Sequence, residues 1–254
     1  MRIFALSDIH VDYEVNTQWV ASLSHDDYVD DVLILAGDVS DSMARLEWCL
    51  GQFAMRFKKV LFIPGNHDVW VIRGGPYVDS LDKFHRVCEV AGQSGVSMAP
   101  YHHRDVSIVP LLGWYDFSFG LPDADLQRSW MDFRACRWPG SWTVGDVTSH
   151  FLQMNGYRRR DDTETIISFS HFMPRIDLMP QSVSEQTRRL FPVLGSERLQ
   201  LQVQQLRSVI HVYGHSHLNR REQRGGTLYV NNAYGYPSET RIAAKTLYCV
   251  HEIS

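Results

Sequence analysis

Carboxylates, imidazoles and one amide fall in short clusters, each placed where an apolar run ends. Asp8 and His10 form the first cluster, and Asp38 follows Gly37. Asn66, His67 and Asp68 follow Gly65, His171 stands alone, and His215 and His217 follow Gly214. This mixture of donors suits borderline or hard divalent cations such as manganese, iron or zinc. Two adjacent cations need an anionic ligand between them, and Asp38 is the natural candidate. Their joint charge lowers the pKa of a bridging water toward neutrality and offsets the phosphoryl charge during in-line attack. The chemistry implied is hydrolysis of a phosphate ester.

Converging such distant residues requires a scaffold, and the sequence supplies one. Short β-branched runs bounded by polar clusters predict strands at 2–7, 32–36, 60–64, 106–112, 165–170, 209–213, 227–231 and 246–251. Helical patterning is expected over 43–57, 78–91 and 199–207. Strands alternating with helices make this an α/β layered chain, in which ligands bind beyond the carboxyl ends of strands. If the chain stays extended there, residues two apart point the same way, so Asp8 with His10, and His215 with His217, reach a common region. The glycines at 37, 65 and 214 permit sharp turns or close backbone approach.

The stretch 114–160 reads differently. It carries Trp114, Tyr115, Phe117, Phe119, Trp130, Phe133, Trp138 and Trp142 among aspartates and arginines. It is expected to be an inserted cap or wall over a pocket, a helical hairpin laying its aromatics on the sheet, or both. No internal repeat or low-complexity linker divides the 254 residues, which are expected to form one domain.

Hydrophobic residues at 44% and charged residues at 21% are ordinary for a soluble globular chain. The net charge of −4 gives no basic track for nucleic acid or an anionic membrane. No apolar run is long enough to span a bilayer, and the apolar start is too short for a signal peptide. Cys49, Cys88, Cys136 and Cys249 lack paired spacing, as expected of buried thiols in a reducing cytoplasm.

The ordered blocks Asp8-Ile9-His10, Gly37-Asp38, Gly65-Asn66-His67-Asp68, His171 and Gly214-His215-Ser216-His217 resemble the signature of the calcineurin-like metallophosphoesterases. The resemblance implies a four-layer αββα sandwich holding two metal ions (Mn, Fe or Zn). One ion would take Asp8, His10 and His217, the other Asn66, His171 and His215, with Asp38 bridging. His67 would contact the substrate phosphate as general acid or electrostatic stabiliser, with Asp68 orienting it. Asp68 departs from the glutamate of many related phosphatases and is similar to the cyclic-nucleotide phosphodiesterase branch. Phe172 stands where many relatives carry a second histidine, a change expected to alter only the pocket lining.

Blander readings exist for each residue. His10 or His171 alone is more often a structural histidine, Asp38 a helix cap, and Asn66 a turn residue. His211, inside an apolar run, is expected in the core, and Asn231 and Asn232 in a turn. Arg158-Arg159-Arg160 before Asp161-Asp162 suggests a solvated surface turn. Arg128, Arg134 and Arg137 are candidates for meeting a substrate phosphate, and Tyr115 and Asp116 for bordering the site. The expectation is an enzyme acting on a phosphate mono- or diester, with a small molecule as substrate. The alternative is a catalytically silent scaffold on the same fold, and a nuclease is disfavoured by the charge. Oligomeric state is not legible.

Overall fold

Aliphatic runs buried on both faces build two facing sheets. The computed structural model describes residues 1–73, 75–159, 161 and 164–253. In the first sheet β1 (Arg2–Leu6), β2 (Val32–Leu35) and β3 (Lys59–Phe62) run parallel. The second contains β4 (Tyr101–His103), β5 (Val106–Pro110), β6 (Thr165–Phe169), β7 (Ile210–Tyr213), β8 (Arg220–Arg224) and β9 (Thr227–Asn231). Its spatial order is β4-β5-β6-β7-β9-β8, with only the edge strands β4 and β8 antiparallel to their neighbours. The last strand, β10 (Tyr248–Glu252), returns to the first sheet and pairs antiparallel with β1.

Period-two alternation decides what each face meets. Ile3 and Ala5 on β1, Val32 and Ile34 on β2 and Leu61 on β3 point between the sheets. There they join Ile108, Ile167, Phe169, Val212 and Val230 from the second sheet. Phe4, Leu6, Leu33, Leu35 and Phe62 point outward to α2 (Met43–Ala54) and α3 (Ser80–Gln93). Ile166, Tyr213 and Tyr229 face α6 (Val144–Met154) and α8 (Glu197–Leu206) on the opposite outside. The result is an αββα sandwich with an apolar layer between each pair of its four slabs.

Side-chain caps mark several of the helix starts. Asp79 accepts from the amides of Leu81 and Asp82 at the head of α3, and Thr143 with Asp146 forms a capping box on α6. Each such cap contributes about 1 kcal/mol. The remaining helices are short: α1 (Glu14–Ser22), α4 (Ala124–Ser129), α5 (Asp132–Ala135) and α7 (Glu185–Arg188).

Every expected strand is present, each shifted by at most a few residues. Within 114–160, Trp114 and Tyr115 are buried beside Phe151 on the outer face of the second sheet. Trp130 and Asp132 reach the carboxyl ends of the strands. Arg160 and Asp162 of the expected surface turn lie outside the described residues. His211 is a core residue, its ring nitrogens 2.8 and 2.9 Å from the Ser168 and Ser170 hydroxyls. Asn231 and Asn232 are not loose turn residues. They are buried, with Asn231 donating to the Gly214 carbonyl and Asn232 to those of Ala5 and Thr246.

Candidate metal centre

Beyond the strand ends the backbone ladder continues in irregular form. The Asp8 amide donates to Gly37 O at 2.9 Å, His10 to Asp38 O at 3.1 Å, and Gly214 to His171 O at 2.9 Å. These bonds lock neighbouring loops together without extended geometry. Asp8, His10, Asp38, His215 and His217 all have positive φ, between 41° and 67°. The extended i, i+2 argument for Asp8/His10 and His215/His217 is therefore wrong in its geometry. The pairs converge because each loop turns through the left-handed region. Non-glycine residues there cost of order 1 kcal/mol or more and persist only where the surroundings hold them, which is typical of functional sites.

Gly65 is required for a different reason: a Cβ on it would lie 2.7 Å from the Asp38 amide nitrogen and also run into the Asp38 carboxylate. Gly37, at φ +85°, allows the tight exit from β2. Asp68 then clamps these two loops. Its carboxylate accepts from the amides of Asp38, Val39 and Ser40 at 2.9 Å and from Gly65 at 2.8 Å. That differs from the expected role of orienting His67, because both oxygens are committed to backbone amides. Burial pushes its pKa up to about 6, with the amide bonds pulling the other way.

The donor atoms converge in two groups that share Asp38. One comprises Asp8, His10, Asp38 and His217, and the other Asp38, His171 and His215, with atoms in each group within 4.8 Å of one another. Asn66 joins the second through its Oδ1, 3.0 Å from His171 Nε2. All seven residues are buried.

The outward-facing atoms settle which way the lone pairs point. His171 Nδ1 lies 2.9 Å from the Ala36 carbonyl and His215 Nε2 3.0 Å from the Val193 carbonyl. A carbonyl can only accept, so each of those nitrogens carries the proton. His171 Nε2 and His215 Nδ1 are then left as bare lone pairs, 3.1 Å apart. The Asn66 amide nitrogen donates to Asp132 at 2.9 Å, which turns its oxygen toward the same point. His217 Nδ1 faces Glu239 at 2.7 Å, and its Nε2 faces His10 Nε2 at 3.1 Å. Lone pairs aimed at one another repel unless a cation sits among them. The set therefore fits a pair of metal ions, with His171, His215 and His217 oriented from behind in the usual manner of metal ligands.

Electrostatics agree. Burial, followed by the charges of Asp8 and Asp68, holds the Asp38 carboxyl well above its ordinary range. Burial drives His215 down to about 3 and keeps His10 and His67 well below the usual imidazole value, with neighbouring imidazoles adding to it. Only His217 is raised, to about 10: burial opposes its charge, but Asp8 and Glu239 outweigh it. The carboxylates demand a positive charge at that point.

Four further residues complete the site and were not singled out in the sequence. Glu239 lies in the loop after β9 and also accepts from the Tyr236 amide at 2.7 Å. Asp132 gathers the Asn66 amide and the indole N–H groups of Trp70 and Trp130, the latter two at 2.7 and 2.8 Å. The Tyr115 hydroxyl is a fourth partner of Asp132. Trp70 stacks on His67 at 3.7 Å, and the Tyr236 hydroxyl lies 3.4 Å from His67 Nε2. His67 is partly open at the mouth of the cage, its side chain 15% exposed and its Nε2 3.8 Å from Asp38.

Other candidates fall elsewhere. Asp116 accepts from Ser196, 2.7 Å away. Arg128 pairs with Asp125 on the surface, Arg134 turns to Ser129 and Met131, and none of Arg128, Arg134 and Arg137 lines the cleft beside the cage. Phe172 is buried against the His215 ring, beneath the cleft rather than in its lining.

Fold and site together define a phosphoesterase. The sequence pattern of the calcineurin-like phosphoesterases matches residues 1–219, and the chain belongs to that family of phosphoric ester hydrolases. It is similar to the [acyl-carrier-protein] phosphodiesterase PptH of Mycobacterium tuberculosis, at 25% identity over 94% of this chain and 79% of the relative. The crystal structure of that organism's phosphopantetheinyl hydrolase PptH superposes with a TM-score of 0.83. It is 23% identical, covering 98% of this chain and 95% of the other, and establishes the shared fold. Among the described residues no helix is long and apolar enough to cross a membrane.

The Glu239 contact is testable. Glu239→Gln keeps an acceptor for His217 Nδ1 but loses the charge, and is expected to weaken manganese affinity about tenfold to a hundredfold. Calorimetric titration reads this directly; unchanged affinity would leave Glu239 no part in holding metal.

Proposed function

We propose that the chain is a two-metal phosphodiesterase, with Asp8, His10 and His217 around one cation, Asn66, His171 and His215 around the other, and Asp38 shared. The observation that carries this reading is the set of inward-facing lone pairs whose outer partners are carbonyls, a carboxylate and an amide-orienting aspartate. When bound, such a pair of ions supplies Lewis acidity and an ionised water at neutral pH.

The protein's own groups perform the rest. Asp68 fixes the loops that carry Asp38 and Asn66. Asp132 and Glu239 hold Asn66 and His217 in their working orientations. His67, stacked on Trp70 and open at the cage mouth, is placed to contact the phosphate or the departing oxygen. The Trp130–Asp132 part of the aromatic stretch caps the cage, Trp130 beside it and Asp132 beneath it, while Trp114, Tyr115 and Phe151 pack on the sheet, all within one domain. Four free cysteines favour a reducing, cytoplasmic setting.

Similarity to an acyl-carrier-protein phosphodiesterase favours a diester over a monoester, and a phosphopantetheinyl diester on a carrier protein in particular. This revises the expectation of a small-molecule substrate. Manganese-loaded protein is expected to cleave bis(p-nitrophenyl) phosphate and to strip the phosphopantetheinyl group from holo-acyl carrier protein, seen by intact mass. Excess chelator should abolish both. Metal-loaded protein that cleaves neither would overturn the reading in favour of a silent scaffold.

A further inference from the structure

Two clefts of unlike character meet at His67 and Tyr236. The first, about 220 Å³, runs directly off the cage past Asn66 and His215. Its far wall is apolar: Trp130 from the aromatic stretch, Met179, Leu190 and Leu194. Among the described residues no lysine or arginine lines it, and its carboxylates, Asp38 and Glu239, already serve the imidazoles. The second cleft, about 410 Å³, opens on the other side of His67 and carries charge, with Asp12, Asp41 and Arg73 beside Tyr13, Trp70 and Met131.

The apolar wall is built rather than incidental. The Trp130 indole is fixed by its bond to Asp132 and meets the His215 ring edge-on at 5.8 Å. Arg189, next to Leu190, pairs with Asp123 and Asp125 at 2.7 Å each, joining the segment that carries Leu190 to the segment that carries Trp130. These pairs are surface-exposed and individually weak, but they tie together the two segments that carry the wall.

We infer that the first cleft receives one ester arm of the substrate, a short, uncharged and partly apolar chain, while the other arm leaves through the charged cleft. This deepens the two-metal phosphodiesterase reading and rests on it. A volume of about 220 Å³ corresponds to roughly seven water molecules at bulk density, enough for a phosphate and a few chain atoms. A second anionic group there would find no cation from the protein and two carboxylates nearby. Nucleotide-like arms with further phosphates are therefore disfavoured on this side.

The experiment is a series of p-nitrophenyl alkyl phosphates turned over by manganese-loaded protein. From methyl to butyl, kcat/KM is expected to rise about tenfold, as partial burial of three methylenes gives. A carboxyethyl arm should fall below methyl. In Leu190→Ser, and independently in Met179→Ser, the butyl-to-methyl ratio should shrink to about threefold. A flat series with hydrolysis intact overturns the inference alone, as does a rise that survives both substitutions. Absence of hydrolysis from metal-loaded protein overturns the reading beneath it, and this inference with it.

Discussion

Asp38→Asn is expected to empty both metal positions together and to lower kcat/KM by about a thousandfold or more. The two donor groups share only this residue. Its Oδ1 accepts the His67 amide at 2.9 Å, a bond that asparagine retains. On the two-metal reading, asparagine removes the anion shared by both cations, worth several kcal/mol of charge stabilisation, and each 1.36 kcal/mol is tenfold in rate.

The same substitution has the opposite effect on the metal-free fold. Burial and the nearby Asp8 and Asp68 charges raise the Asp38 pKa well above the ordinary range. An ionised carboxylate whose folded pKa is raised destabilises the native state above the unfolded pKa. Metal-free Asp38→Asn should therefore melt no lower than the parent at pH 7 to 8, and metal should raise its Tm much less. Scanning calorimetry with and without manganese reads both. Retention of one full metal site would mean that Asp38 serves a single ion.

His67→Ala separates catalysis from metal holding. His67 belongs to neither donor group, and its ring is held by Trp70 and faces the Tyr236 hydroxyl. Loss of a proton-transferring or phosphate-contacting side chain typically costs 10² to 10⁴ in rate. Turnover is expected to fall by about that factor while metal content stays nearly unchanged. Equal loss of metal would make His67 a ligand.

The blocks at strand ends were legible because catalytic geometry in layered α/β folds is tied to chain order. Each strand that leads into a donor block is an apolar run, and the donors follow it within a few residues. The edge strands β4 and β8 were not legible. Tyr101-His102-His103 and Arg220-Arg221-Glu222-Gln223-Arg224 lack the apolar signature, as exposed edges usually do. Helix α1 buries only Asn16 and Val20, too little to leave a periodic pattern.

Residues that orient the donors were hidden for a related reason. Asp132 and Glu239 are single carboxylates, 66 and 22 residues from the metal-site side chains they orient, Asn66 and His217. Glu239 had one available signal: it follows the recognised strand β9, so its loop belongs to the same end of the sheet. Asp132 had none, since its partners Asn66, Trp70 and Trp130 meet only in three dimensions. The aspartate at 68 shows the limit of resemblance. It occupies the expected position and anchors backbone amides instead of an imidazole.

Manganese binding followed by elemental analysis and electron paramagnetic resonance tests the cage most directly. Two ions per chain with the spectrum of a spin-coupled pair are expected, since both donor groups take Asp38. One ion per chain with an isolated six-line signal, or none at all, would contradict the shared-carboxylate centre.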